Sequence, residues 1–85
     1  MVRLLVIADD FTGALDTGVQ FAARGAATRV ATDPAYDLSQ AEAGIQVLVL
    51  DAETRHLPPE EAYQTVLRAV RGARAAGFTH IYKKT

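Results

Sequence analysis

The residues most able to do chemistry in this chain are Asp9 and Asp10, adjacent carboxylates that follow the apolar run Leu4-Leu5-Val6-Ile7-Ala8 and open the segment Phe11-Thr12-Gly13-Ala14-Leu15-Asp16. In a parallel α/β sheet, ligands bind at the carboxyl ends of the strands, so this junction suits a polyol, a metal ion or a phosphate. The backbone N–H groups of Gly13 and Ala14 are candidates to receive an anion, but Asp9 and Asp10 repel one unless a cation or hydroxyl groups intervene. A ligand rich in hydroxyls fits better, because each carboxylate accepts several hydrogen bonds. Neither GxxxxGK[ST] nor GxGxxG occurs, so the chain carries no nucleotide-phosphate loop of a known type.

Two further segments join this one. Asp51-Ala52-Glu53-Thr54-Arg55 follows the branched run Ile45-Gln46-Val47-Leu48-Val49-Leu50, and the planar fork of Arg55 can grip a carboxylate bidentately. Lys83-Lys84-Thr85 follows Thr79-His80-Ile81-Tyr82 and adds cations. Taken singly, a carboxylate after a strand is often a helix cap or a solvated turn residue, and most lysines and arginines are surface cations. His56 and His80 lie far apart in sequence without metal-ligand spacing; structural or solvent roles are assigned to both, and no metal ligands are named.

These segments need elements that carry them to one place. Val2–Ala8 reads as a strand buried on both faces. A helix follows over Thr12–Arg24, with Thr12 as its N-cap, Leu15, Gly18, Val19 and Ala22 as its apolar spacing and Gly25 as its C-terminal cap. Thr28–Thr32 is a second strand ended by Asp33-Pro34, Asp37–Gly44 has room for one helical turn, and Ile45–Leu50 is the strongest strand. Pro58-Pro59-Glu60-Glu61 starts a helix to about Ala76, with Ala62, Val66, Ala69, Val70 and Ala73 buried and Gly77 as cap. Thr79–Lys83 begins a fourth strand. This alternation predicts the α/β class: a parallel sheet of about four strands with right-handed crossover helices, a Rossmann-like partial domain. Parallel strands share one carboxyl edge, so acidic and basic segments converge on one rim.

At 85 residues the chain is one small domain with a thin core. Nine Lys and Arg against ten Asp and Glu give a net charge of −1, which excludes the basic footprint of a nucleic-acid binder. The absence of cysteine excludes a disulfide scaffold and thiol catalysis and fits a reducing compartment, so a cytoplasmic location is expected. A secretory leader is not legible at the N-terminus, and no apolar run reaches the ~20 residues of a membrane span. The fourth strand closes near Thr85 without a covering helix. The expectation is a longer natural protein, or an open sheet side that recruits a partner such as a second copy of the chain.

Ile7-Ala8-Asp9-Asp10-Phe11-Thr12-Gly13-Ala14-Leu15-Asp16, Asp51-Ala52-Glu53-Thr54-Arg55 and Ile81-Tyr82-Lys83-Lys84-Thr85 together resemble the N-terminal domain of the four-carbon acid sugar kinases, in order and spacing along essentially the whole chain. The resemblance implies ATP-dependent phosphorylation of a hydroxyl on threonate, erythronate or a 3-oxo-tetronate. The N-terminal domain binds the sugar acid, while ATP and magnesium belong to a separate C-terminal domain that this chain lacks. No cofactor is therefore expected for the chain alone, nor turnover by it. Carried onto these positions, Asp9 and Asp10 hold substrate hydroxyls, Asp10 orients or deprotonates the acceptor, Arg55 and Lys84 hold the carboxylate, and Thr12 and Gly13 line the pocket.

Two other readings compete. A response-regulator receiver also has paired acids after its first strand, an aspartate after its third and a lysine farther on. It is longer, however, and its lysine follows a fifth strand. A non-catalytic interaction module, packing its open side against another chain, is the third.

Overall fold

A computed structural model describes residues 3–41 and 44–84. Val2 of the expected first strand, part of the expected Asp37–Gly44 segment, and Thr85 of the lysine motif lie outside the described residues. The elements are β1 (Leu4–Ala8), α1 (Phe11–Ala23), β2 (Thr28–Ala31), β3 (Val47–Asp51), α2 (Pro59–Ala75) and β4 (His80–Lys84), with a 3-10 turn over Leu38–Gln40 before β3. The strands form one sheet in the order β2-β3-β1-β4, and every pairing is parallel.

That order follows from the crossovers. The connection through α1 carries the chain from β1 past β3's place to β2, and the connection through α2 carries it from β3 past β1 to β4. The two run in opposite directions along the sheet, and their helices cover opposite faces, so both crossovers have the same hand. Leu5, Ile7, Leu48 and Leu50 join Ala69, Ala73 and Leu38 on the α2 face, while Val6, Ala8, Val47 and Val49 join Ala14 on the α1 face. β1 and β3 therefore read as continuous apolar runs because they are covered on both sides, each large side chain there contributing about 1.5–3 kcal/mol by burial.

α1 departs from the expected pattern in its face. Ala14 and Gly18 are buried against the sheet, whereas Leu15 and Val19 are 46% and 59% exposed. The spacing of Leu15, Val19 and Ala22 is helical, but this stripe points to solvent. Small residues are needed on the inner side because α1 crosses β2 closely: a Cβ on Gly18 would collide with Val30 Cγ2. The N-cap is also Asp10 rather than Thr12. Asp10 has extended backbone angles of −152° and 170°, which free its carboxylate to accept the Gly13 N–H, and Thr12 already lies inside the helix. Gly25 and Gly77 end the two helices as expected, both with positive φ, at 87° and 89°.

Arg3 fastens the edge opposite the strand carboxyl ends. Its Nε donates to the Ile45 carbonyl and its Nη1 to the Ala76 carbonyl, both at 3.2 Å, and its guanidinium lies 4.4 Å from the Phe78 ring centroid. No helix among the described residues is long and apolar enough to cross a membrane.

Candidate functional site

Register brings the three chemical segments to one edge. Ala8, the last residue of β1, pairs with Asp51 on β3 and with Lys84 on β4, so Asp9 and Asp10 emerge between the other two strand ends. The β3 loop then folds back onto β1: the Ala52 N–H donates to the Ala8 carbonyl at 2.9 Å, and the Thr54 and Arg55 N–H groups both donate to the Asp9 carbonyl at 3.0 and 3.1 Å. The short turn Leu57 N–H to Thr54 carbonyl at 3.2 Å then leads into α2. These backbone bonds hold the Arg55 side chain over the aspartates.

Arg55 Nη1 lies 2.8 Å from Asp10 Oδ2, and Arg55 Nε lies 3.9 Å from Asp9 Oδ2. The other oxygen of Asp10 accepts the Gly13 N–H at 2.7 Å, and the Asp10 carbonyl accepts the Ala14 N–H at 3.0 Å. The Gly13 and Ala14 N–H groups are thus both spent on Asp10, which removes the anion cradle that they offered in the sequence. Among the described residues no group of three or more His, Asp or Glu is arranged to hold a metal ion.

Asp51 behaves differently from Asp9 and Asp10. It is 2% exposed, and its Oδ1 accepts the Glu53 N–H at 3.1 Å in an Asx turn. The turn puts Glu53 at φ 50°, a left-handed conformation that a glutamate rarely adopts and that the neighbouring contacts must sustain. Glu53 is raised above the ordinary glutamate value, first by a hydrogen bond with the Asp51 carboxyl and next by the charge of Asp51, with smaller contributions from burial and Asp10. The Phe11 N–H opposes this.

A cavity of about 260 Å³ opens over these groups, lined by Asp9, Asp10, Thr12, Glu53 and Arg55 together with Phe11 and His56. Of the residues expected from sequence, Asp9, Asp10, Thr12 and Arg55 share this cavity. Gly13 does not line it: it sits behind Asp10, where a Cβ would stand 2.9 Å from Asp10 Oδ1. Lys84 is also elsewhere. Alternation along β4 turns Lys84 to the α1 face, in a groove with Leu4, Val6 and Phe21, its Nζ 3.7 Å from where a Gly13 Cβ would be. Lys83 takes the α2 face instead and lines a second cavity that shares Asp9 and Arg55 with the first.

Glu53 and His56 were not among the expected site residues. The signal for Glu53 was its place two residues after Asp51, the spacing of an Asx turn that returns the chain toward β1. His56 carries no such mark, and His80 stands at the far end of β4 beside Leu4, its Nδ1 3.0 Å from Thr79 Oγ1.

Residues 4–85 match the family described as the sugar-binding N-terminal domain. The chain is 41% identical over 69 residues to a D-threonate kinase of Salmonella typhimurium, covering 81% of this chain and 16% of that protein. It is 38% identical over 87 residues to a D-threonate kinase of Bordetella bronchiseptica, covering 93% and 20%, and 35% identical over 71 residues to a D-erythronate kinase of Heliobacterium modesticaldum, covering 84% and 16%. The chain spans a fifth or less of the length of these relatives. In structure it resembles a Salmonella typhimurium LT2 protein solved under a provisional tRNA synthase label, with a TM-score of 0.87 and 31% identity over 99% of this chain and 20% of that one.

Proposed function

We propose, from the premise that this chain belongs to the sugar-binding N-terminal domain family of the four-carbon acid sugar kinases, that its 260 Å³ cavity holds the hydroxylated acceptor of an ATP-dependent sugar-acid kinase. The observation that carries this is the arrangement of Arg55 against Asp10 and Asp9, a cation fixed among carboxylates in a cavity that Thr12 also lines. The cavity lies near the lower end of the range for small-molecule sites, ~300 Å³, which suits the hydroxyl-bearing end of a four-carbon ligand.

Each carboxylate offers about four lone-pair sites, and Asp10 commits one oxygen to Gly13 and the other to Arg55, which leaves acceptor capacity on both. Asp9 is held more loosely, at 3.9 Å from Arg55 Nε. In this reading Asp9 and Asp10 accept from ligand hydroxyls, Asp10 orients and deprotonates the hydroxyl that is phosphorylated, and Thr12 adds a donor. Gly13 contributes indirectly, by letting the Asp10 carboxylate approach the helix start. The phosphoryl donor and its metal are supplied by a part of the kinase outside this chain, so ATP with the chain alone yields no phosphorylated sugar acid. A cytoplasmic setting fits a kinase of small metabolites.

The receiver reading requires a solvent-facing phosphoacceptor after the third strand. Asp51 is 2% exposed and turned onto the Glu53 N–H, which disfavours it. Titration of the chain with D-threonate and D-erythronate tests the proposal: binding that Asp10→Asn abolishes supports it, and binding indifferent to that change contradicts it.

A further inference from the structure

We infer that Lys83, rather than Lys84, receives the carboxylate of the sugar acid, in the second cavity on the α2 side of Arg55, and so distinguishes an acid from a neutral polyol. The inference rests on the sugar-acid reading above and adds to it the residue that recognises the acid group.

The two cavities are separated by a shared wall, Asp9 and Arg55. On one side, Asp10 and Glu53 join Asp9, so three carboxylates face a single guanidinium that is already ion-paired. A ligand carboxylate placed there meets net negative charge. On the other side, a cavity of about 450 Å³ is lined by Lys83 and Arg55 with Asp9 as its only carboxylate, and by Thr54, Tyr63 and Val66. An elongated hydroxy acid lying across Arg55 therefore sorts its ends by charge, hydroxyls toward Asp10 and carboxylate toward Lys83.

Register fixes which lysine can do this. Lys83 pairs with Ile7, whose side chain belongs to the α2-side core, and Lys84 pairs with Ala8, which belongs to the α1-side core. The two ammonium groups thus point to opposite faces of the sheet. Among the described residues the partner of Lys83 Nζ is the Lys84 carbonyl at 3.2 Å, with no carboxylate in ion-pair range. An ammonium has three donors, so two remain for a ligand.

NMR titration of the full chain, which reads millimolar dissociation constants, with D-threonate and with the neutral tetritol D-threitol, decides the matter. Lys83→Met keeps the aliphatic stem and is expected to weaken D-threonate about ten- to a hundredfold, the loss of one charge-assisted contact, while D-threitol changes less than about twofold. Lys83→Arg is expected to recover most of the lost affinity, and Lys84→Met to leave D-threonate within about twofold. The inference is overturned if Lys84→Met carries the loss, or if Lys83→Met weakens acid and polyol alike; the sugar-acid reading survives both results. If the unaltered chain binds neither ligand, that reading fails and the assignment of Lys83 falls with it.

Discussion

Arg55 Nη1 and Asp10 Oδ2 meet at 2.8 Å across two strand-end loops, while the second Asp10 oxygen accepts the Gly13 N–H at 2.7 Å. Asp10 is thereby fixed from both sides, by a cation on the β3 loop and by the helix it caps. One side chain links the stability of α1 to the geometry of the cavity, and the two contributions separate by substitution.

Asp10→Asn keeps an oxygen for the cap and is expected to change stability by less than about 1 kcal/mol, whereas Asp10→Ala costs about 1 kcal/mol through the lost N-cap. Arg55→Gln removes a pair whose guanidinium is 56% exposed, so its stability cost is about 0–1 kcal/mol. Urea denaturation measures all three. An Asp10→Ala chain as stable as the unaltered one would show that the cap contributes nothing.

Gly18 is expected to resist even alanine. Alanine gains about 1 kcal/mol of helix propensity over glycine, yet its Cβ collides with Val30 Cγ2 on β2, and overpacking of this kind costs about 1–3 kcal/mol. Leu15→Gln, on the solvent stripe of the same helix, is expected to stay within about 0.5 kcal/mol. Thermal melts that rank the two variants the other way would place the wrong face of α1 against the sheet.

Glu53 introduces a pH dependence with a definite sign. Its pKa is raised in the folded chain above the model-peptide value of 4.5, chiefly through Asp51, so the folded state favours the protonated form. The associated stability is complete below that ordinary value and declines as pH rises through the raised one. Glu53→Gln keeps a donor for Asp51 without titrating. Its melting temperature is therefore expected to gain on that of the unaltered chain as pH rises from about 4 to about 7. A difference constant over that range would contradict the Asp51 linkage.

Much of the architecture was legible because β1 and β3 are covered on both faces, which writes an uninterrupted apolar run into the sequence at each. Gly25, Gly77 and Pro59 mark their helix ends for equally local reasons. The face of α1 was not legible in the same way. Its larger apolar residues, Leu15 and Val19, lie outside, and the inner face is built from Ala14 and Gly18 because the helix approaches Val30 closely. Periodicity reveals a stripe, but close packing decides which stripe is buried.

The site divides similarly. Asp9, Asp10, Thr12 and Arg55 stand near strand ends in the sequence and line one cavity, whereas the opposite faces taken by Lys83 and Lys84 need the register of β4 against β1. Arg3 shows a further limit. Its bonds to the Ile45 and Ala76 carbonyls join residues 42 and 73 positions away, a separation that no local pattern announces.

The central claim is that the carboxyl edge of this sheet holds a four-carbon sugar acid. Its most direct test is amide chemical-shift mapping of the chain during titration with D-threonate. Saturable shifts concentrated at Asp9, Asp10, Thr12, Glu53 and Arg55, and absent from the Arg3–Thr79 edge, are the result predicted. Saturable shifts centred on that opposite edge, or no shifts up to millimolar ligand, would contradict it.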